Sequence, residues 1–237
     1  MRTLRNILLC SFGSSWLGCL LLFSQMASRA ATFNVVNDFS ILNNPNGVWS
    51  YGWTGALGGT LNLFTLNGST VPGLEAWERG PLPYPAAAST PFIGHNTTAG
   101  PITFTSFHVP TDELQLHPGI VGEEAVVRWT APSSGAFFIT GRFEGLDSTT
   151  TDIHILLNGA SLLSGSIGSN GDMVPFTLTT VVNAGDHLDF VVGFGGNNYF
   201  FDSTGLAATI APVPEPNSFA LVMIGLLAFV ILRRRAL

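Results

Sequence analysis

There is no lysine in this 237-residue chain, and only 10% of its residues are charged. Between Ala31 and Ala211 the cations besides histidine are Arg79, Arg128 and Arg142, set against a clear excess of Asp and Glu. A region this acidic cannot neutralise a run of phosphates, so nucleic acid is excluded as a partner. Cysteine is nearly as scarce. Cys10 and Cys19 both fall in the first twenty residues; if that segment is removed, the remaining chain has no disulfide, zinc cluster or catalytic thiol. HExxH, a GxSxG elbow and a P-loop are missing, and His95, His108, His117, His154 and His187 form no close pair. Glu75/Glu78 and Glu123/Glu124 give no reason to face each other across a cleft, as a glycosidase requires. The chain therefore reads as non-catalytic. No useful amphipathic helix and no fixed-period repeat is visible, which disfavours propellers and solenoids.

What is present is strand material. Hydrophobic residues make up 46% of the chain, and glycine is plentiful, enough for one core with targeting segments at the ends. Apolar runs at 33–39, 48–53, 61–66, 102–109, 125–132, 136–146, 152–163, 174–182 and 187–195 alternate with Gly, Asn, Asp and Pro clusters. Asn158-Gly159 reads as a two-residue hairpin turn, and residues 80–101 read as a long surface loop. Strands of this length and spacing predict an all-β fold, an antiparallel β-sandwich over residues 31–211.

The two ends differ from the middle. Arg2 and Arg5 precede an apolar stretch, and Ser28-Arg29-Ala30 offers small residues for cleavage. This is the layout of a signal peptide over 1–30, forming a signal helix that directs export. At the other end, Val213-Pro214-Glu215-Pro216 precedes an apolar run at 219–232 and then Arg233, Arg234 and Arg235. As a helix the run spans about 21 Å, short against a hydrocarbon core of about 30 Å. The arginines hold its end in the cytoplasm, which leaves the preceding chain outside.

These three parts in this order resemble the PEP-CTERM sorting signal of Gram-negative bacteria, also labelled an ice-binding-protein C-terminal module. The resemblance covers residues 212–237. It implies recognition of Pro214, Glu215 and Pro216 by an exosortase, a transpeptidase-like protease of the inner membrane. It also implies anchoring by the C-terminal transmembrane helix before processing, and then delivery to the cell surface or extracellular matrix, often alongside exopolysaccharide. Separately, AVVRWTAPSSGAFFITGRFEG, the DIHILLNG hairpin and VVNAGDHLDFVVG resemble jelly-roll, carbohydrate-binding-like domains of bacterial surface proteins. That likeness implies a jelly-roll sandwich and makes extracellular polysaccharide the expected partner, the alternative being a purely structural matrix protein and, less favoured, a hydrolase of matrix sugar.

Candidate glycan-binding residues follow from ring chemistry. Trp49, Tyr51 and Trp53 share one strand face; the row fits sugar stacking, although core packing explains it more simply. Trp77, flanked by Glu75, Glu78 and Arg79, is the better candidate for an exposed ring. Trp129 reads as core. Asp147, Asp152, Asn170, Asp172, Asn197, Asn198 and Asp202 gather at turns. Asp147, Asp152, Asp172 and Asp202 are weak candidates for a structural Ca²⁺, but turn chemistry explains them without metal. No other cofactor is expected.

Overall fold

A computed structural model of the chain describes residues 31–68, 71–80, 90–104 and 107–214. The expected signal helix, the transmembrane helix, Glu215, Pro216 and Arg233 to Arg235 lie outside these residues. Within them the chain is all β. The strands are β1 (Phe33–Asn34), β2 (Trp49–Thr54), β3 (Asn62–Leu63), β4 (Leu66–Gly68), β5 (Leu74–Glu78), β6 (Phe92–Asn96), β7 (Ile102–Thr103) and β8 (His108–Val109). The second half adds β9 (Leu114–His117), β10 (Glu124–Thr130), β11 (Gly135–Gly145), β12 (Asp152–Leu157), β13 (Ala160–Ser166), β14 (Met173–Val182), β15 (His187–Val192) and β16 (Thr204–Pro212). An eight-stranded sheet runs β14-β11-β16-β9-β6-β5-β4, with β1 also on β16. A six-stranded sheet runs β13-β12-β15-β10-β2-β3, and β7 pairs with β8 alone. All the ladders are antiparallel.

Period-two alternation explains the layers. In β10, Ala125, Val127 and Trp129 turn inward and are buried, while Arg128 turns outward. Arg128 meets Asp189 of β15 through two hydrogen bonds of 2.7 and 2.8 Å. The facing sheet supplies Ile139, Phe143, Leu206 and Ile210. Rings join the layers: Trp129 of β10 lies 5.0 Å from Phe137 of β11 at 65°, and Phe176 of β14 lies 6.0 Å from Phe190 of β15. The β12–β13 hairpin turns at Asn158 (φ 50°) and Gly159 (φ 82°), both left-handed, as a two-residue turn between twisted strands requires.

Three expectations are corrected. The run 61–66 is two strands in different sheets, because Phe64 turns into the core and carries the chain across the sandwich. Residues 80–101 are not all loop: β6 lies within them, paired with β5 and β9, its Ile93 opposite Trp77 on the inner face. The run 102–109 is a short hairpin of β7 and β8. The long last strand β16 has no counterpart in the sequence reading. Its small residues Gly205, Ala207 and Ala208 mute the alternation.

Candidate functional site: an aromatic loop at one end of the sandwich

The ring candidates read from the sequence do not converge on a surface. Trp49 and Tyr51 are buried in the core, and the Trp49 indole donates to Asp38 Oδ2 at 3.1 Å. Trp53 is partly buried, and the Arg79 guanidinium stands 4.3 Å from its ring centre, occupying one face. Trp77 is 5% exposed, and its indole N–H donates to the Ser40 carbonyl at 2.7 Å. Strand β5 is internal to its sheet, so its ring faces Ile93 and the core in spite of the charges around it in sequence.

The four aspartates lie toward one end of the sandwich, where two are bonded within their own loops and two tie neighbouring loops together. Asp147 accepts from Ser148 N–H at 2.7 Å, and Asp172 accepts from Gly168 N–H at 2.9 Å. Asp152 binds His154 Nε2 at 2.9 Å and Gly195 N–H at 2.7 Å. Asp202 accepts from Thr150 N–H at 3.0 Å. Among the described residues no group of three or more His, Cys, Asp or Glu side chains is placed to hold a metal ion.

The same end carries a feature that the sequence reading passed over. The segment 195–203, Gly-Gly-Asn-Asn-Tyr-Phe-Phe-Asp-Ser, joins β15 to β16. Phe200 and Phe201 are each 58% exposed. Phe201 has φ 65°, a left-handed backbone that a bulky aromatic residue rarely adopts. Such strain persists only where the surroundings over-determine it, and they do here. Thr149 Oγ1 donates to the Phe201 carbonyl at 3.1 Å and lies 2.7 Å from that of Ser203. Asp202, fully buried, holds Thr150, and Asn197 Nδ2 donates to Thr150 Oγ1 at 2.8 Å. Gly195 and Gly196 have φ 65° and 77°, and a Cβ on Gly195 would lie 2.1 Å from the Thr150 carbonyl. The Phe200 ring is braced by its neighbours: Tyr199 lies 4.4 Å from Phe200 and 6.2 Å from His117, which stacks on Phe92 at 5.3 Å.

The neighbouring loop 118–123 adds Ile120 and Val121, 37% and 78% exposed. It is close, because a Cβ on Gly122 would meet the Phe194 ring at 3.2 Å. Burial sets the electrostatics beneath. The Asp202 carboxyl is pushed up to about 6, chiefly by burial, and the His117 ring is pushed down to about 4 for the same reason. The site therefore offers rigid apolar rings on a frame of amides and hydroxyls, which suits stacking on the C–H face of a flat ligand. The only sequence signal was the Gly-Gly-Asn-Asn run ahead of three consecutive aromatics.

Two other polar groupings stand out. Glu113 sits against Arg142 (2.7 Å), near Asp112 and Glu144, with its carboxyl pushed up to about 8 chiefly by burial. It is fully enclosed. On the outer face of the six-stranded sheet, Asp152, His154 and Ser164 are linked in order by contacts of 2.9 and 3.0 Å.

Residues 212–235 match the PEP-CTERM protein-sorting motif. The motif marks an exported protein sorted by an exosortase, anchored through its C-terminus before processing. No curated protein is similar to this chain in sequence. Solved structures similar to the sandwich include a family 35 carbohydrate binding module from Clostridium thermocellum, at 16% identity and TM-score 0.30, covering 49% of this chain and 84% of that one. Another is CBM51 from Clostridium perfringens GH95 in complex with methyl-galactose, at 16% identity and TM-score 0.32, covering 63% and 95%. Pika GITRL is also similar, at 13% identity and TM-score 0.28, covering 38% and 79%. The likeness concerns the all-β sandwich and carries no argument about a ligand.

Proposed function

We propose that this protein is a non-catalytic, exosortase-sorted surface or matrix protein that binds extracellular polysaccharide through the loop 195–203. The observation that supports this reading most directly is the pair of exposed rings, Phe200 and Phe201, on a strained backbone pinned by Thr149, Thr150 and Asp202. A matrix protein with no dedicated ligand has no use for holding a phenylalanine at positive φ in solvent. The rings supply stacking area, and the exposed amides of Asn197 and Asn198 supply hydrogen bonds to hydroxyls. The test is binding of the full chain and its Phe200→Ala variant to a panel of bacterial and plant polysaccharides. Selective retention that the variant loses supports the reading; a flat panel from the folded wild type leaves the structural matrix protein standing.

The Asp152–His154–Ser164 series favours a second reading, hydrolysis of an ester on matrix sugar. In it the Ser164 hydroxyl attacks the acyl carbon and passes its proton to His154 while Asp152 steadies the ring; the ester C–O bond breaks as His154 gives that proton to the departing sugar oxygen, and water, deprotonated by His154, then releases the acyl group as its acid and restores Ser164. Release of nitrophenol from nitrophenyl acetate, lost in Ser164→Ala, would support it; equal rates in both proteins would retire it.

A further inference from the structure

The sorting motif begins where the sheet ends, with no linker between. Strand β16 closes at Pro212, opposite Phe137, and the ladder continues one step further: Val213 N–H donates to the Ala136 carbonyl at 2.8 Å. Val213 is both the first residue of the Val-Pro-Glu-Pro motif and part of the folded sheet. The apolar run at 219–232 starts six residues later. Fully extended, six residues reach about 20 Å. Whatever membrane that run enters, this end of the sandwich is held beside it.

The surface at this end is not ordinary. Phe137 and Ile139 point into the core, so Ala136 and Phe138 point out. Val181 lies opposite Ala136 on β14, and Val213 follows Ala211 on β16 by alternation. Val181, Phe138 and Val213 are 74%, 41% and 37% exposed. The next residues on the same face, Thr179, Thr140 and Thr209, carry hydroxyls and no charge. Charge on this face begins further along β11, at Arg142 and Glu144. The acidic loops that hold Asp147, Asp152 and Asp202 lie at the opposite end of β16, about 30 Å away over its nine residues.

We propose that Val181, Phe138 and Val213 form a membrane-docking face, which rests on the outer leaflet of the bilayer entered by residues 219–232 while the precursor is anchored. An apolar patch bordered along the sheet by hydroxyls suits shallow burial at the headgroup boundary. The loops of Asp147, Asp152 and Asp202 stay far from anionic headgroups, while Asp186, in the turn that follows β14 at the docking end, accepts from the Asn183 N–H at 2.7 Å. The docked pose fixes Pro214, Glu215 and Pro216 at the membrane surface and turns the aromatic loop away from it. This inference rests on the sorting tail and not on the glycan reading.

The experiment uses the full chain, signal peptide removed, reconstituted into phosphatidylethanolamine–phosphatidylglycerol vesicles. A polarity-sensitive fluorophore is placed at Val181→Cys or, as the distal control, at Ser169→Cys. Lipids carrying a spin-label quencher near the headgroup should dim the label at 181 and leave that at 169 unchanged. A third protein carries a Gly/Ser insertion of ten residues between Pro212 and Val213. If the face itself docks, quenching at 181 survives the insertion; a fall to the level at 169 shows mere tethering and overturns the proposal. Absence of quenching at 181 without the insertion overturns it too, and points to the sorting enzyme or a second copy as the occupant. Val181→Asp with Phe138→Ser, in the inserted background, should abolish the quenching of a label moved to Thr179→Cys. Its persistence there would also overturn the assignment.

Discussion

Phe201 is the residue whose chemistry and conformation disagree most. Holding a non-glycine residue at φ 65° costs on the order of 1 kcal/mol or more. Phe201→Gly should therefore leave thermal stability unchanged or raised while polysaccharide retention falls. A loss of stability on that change would mean the ring serves the fold. Trp77 gives the opposite expectation. Its buried ring bonds Ser40, so Trp77→Ala should cost about 3–5 kcal/mol in urea unfolding. Glu113 sets a pH dependence. Burial holds its carboxyl up to about 8, so the folded chain keeps a proton that the unfolded chain releases near the ordinary carboxylate range. Its penalty is absent below that range, grows as pH rises, and is complete above about pH 8. His117, held down to about 4, works the other way: it lowers stability as pH falls from the ordinary histidine range toward 4. Urea midpoints of Glu113→Gln should lose the decline between about pH 6 and pH 8, above the range where Asp202 also contributes, and keep the acid one; an unchanged decline between pH 6 and 8 would contradict the assignment.

At the scale of elements, the second half of the chain was legible and the first half less so. The runs behind β10, β11, β14 and β15 alternate cleanly, and Asn158-Gly159 announces its turn. Strand β16 hid because its outward positions are Gly205, Ala207, Thr209 and Ala211, which contrast little with the inward ones. Strand β6 hid inside a Pro- and Gly-rich stretch, and the 61–66 run hid a change of sheet. The aromatic loop was invisible as a site because exposure of Phe200 and Phe201 depends on Thr149 and Asp202, which lie across the fold from each other in sequence or stand beside turns with their own explanation. Close approach between strands gives a further test. A Cβ on Gly141 of β11 would lie 2.0 Å from the Ala207 carbonyl and 2.6 Å from the Phe176 ring. Gly141→Ala should destabilise by about 1–3 kcal/mol through forced repacking, seen as a lower thermal midpoint; a neutral result would mean that β11 and β16 pack less closely than described.

For the whole molecule, β16 is the organising element. The aromatic loop precedes it, the sorting motif follows it, and its nine residues separate the two by about 30 Å. A protein delivered by its tail thus presents its rings at the far end. Removing Arg233 to Arg235 should weaken retention and processing, because the inward stop is lost, and Glu215→Gln should slow processing if the enzyme reads its charge; unaltered precursor and mature bands in cell fractions would contradict both. The most direct measurement of the central claim is hydrogen exchange across the full chain, with and without polysaccharide secreted by the producing cells. Protection concentrated at residues 195–203 and 118–123 is the expected result. Protection centred instead on the Trp53–Arg79 surface, or none at saturating polysaccharide, would contradict glycan binding through the aromatic loop.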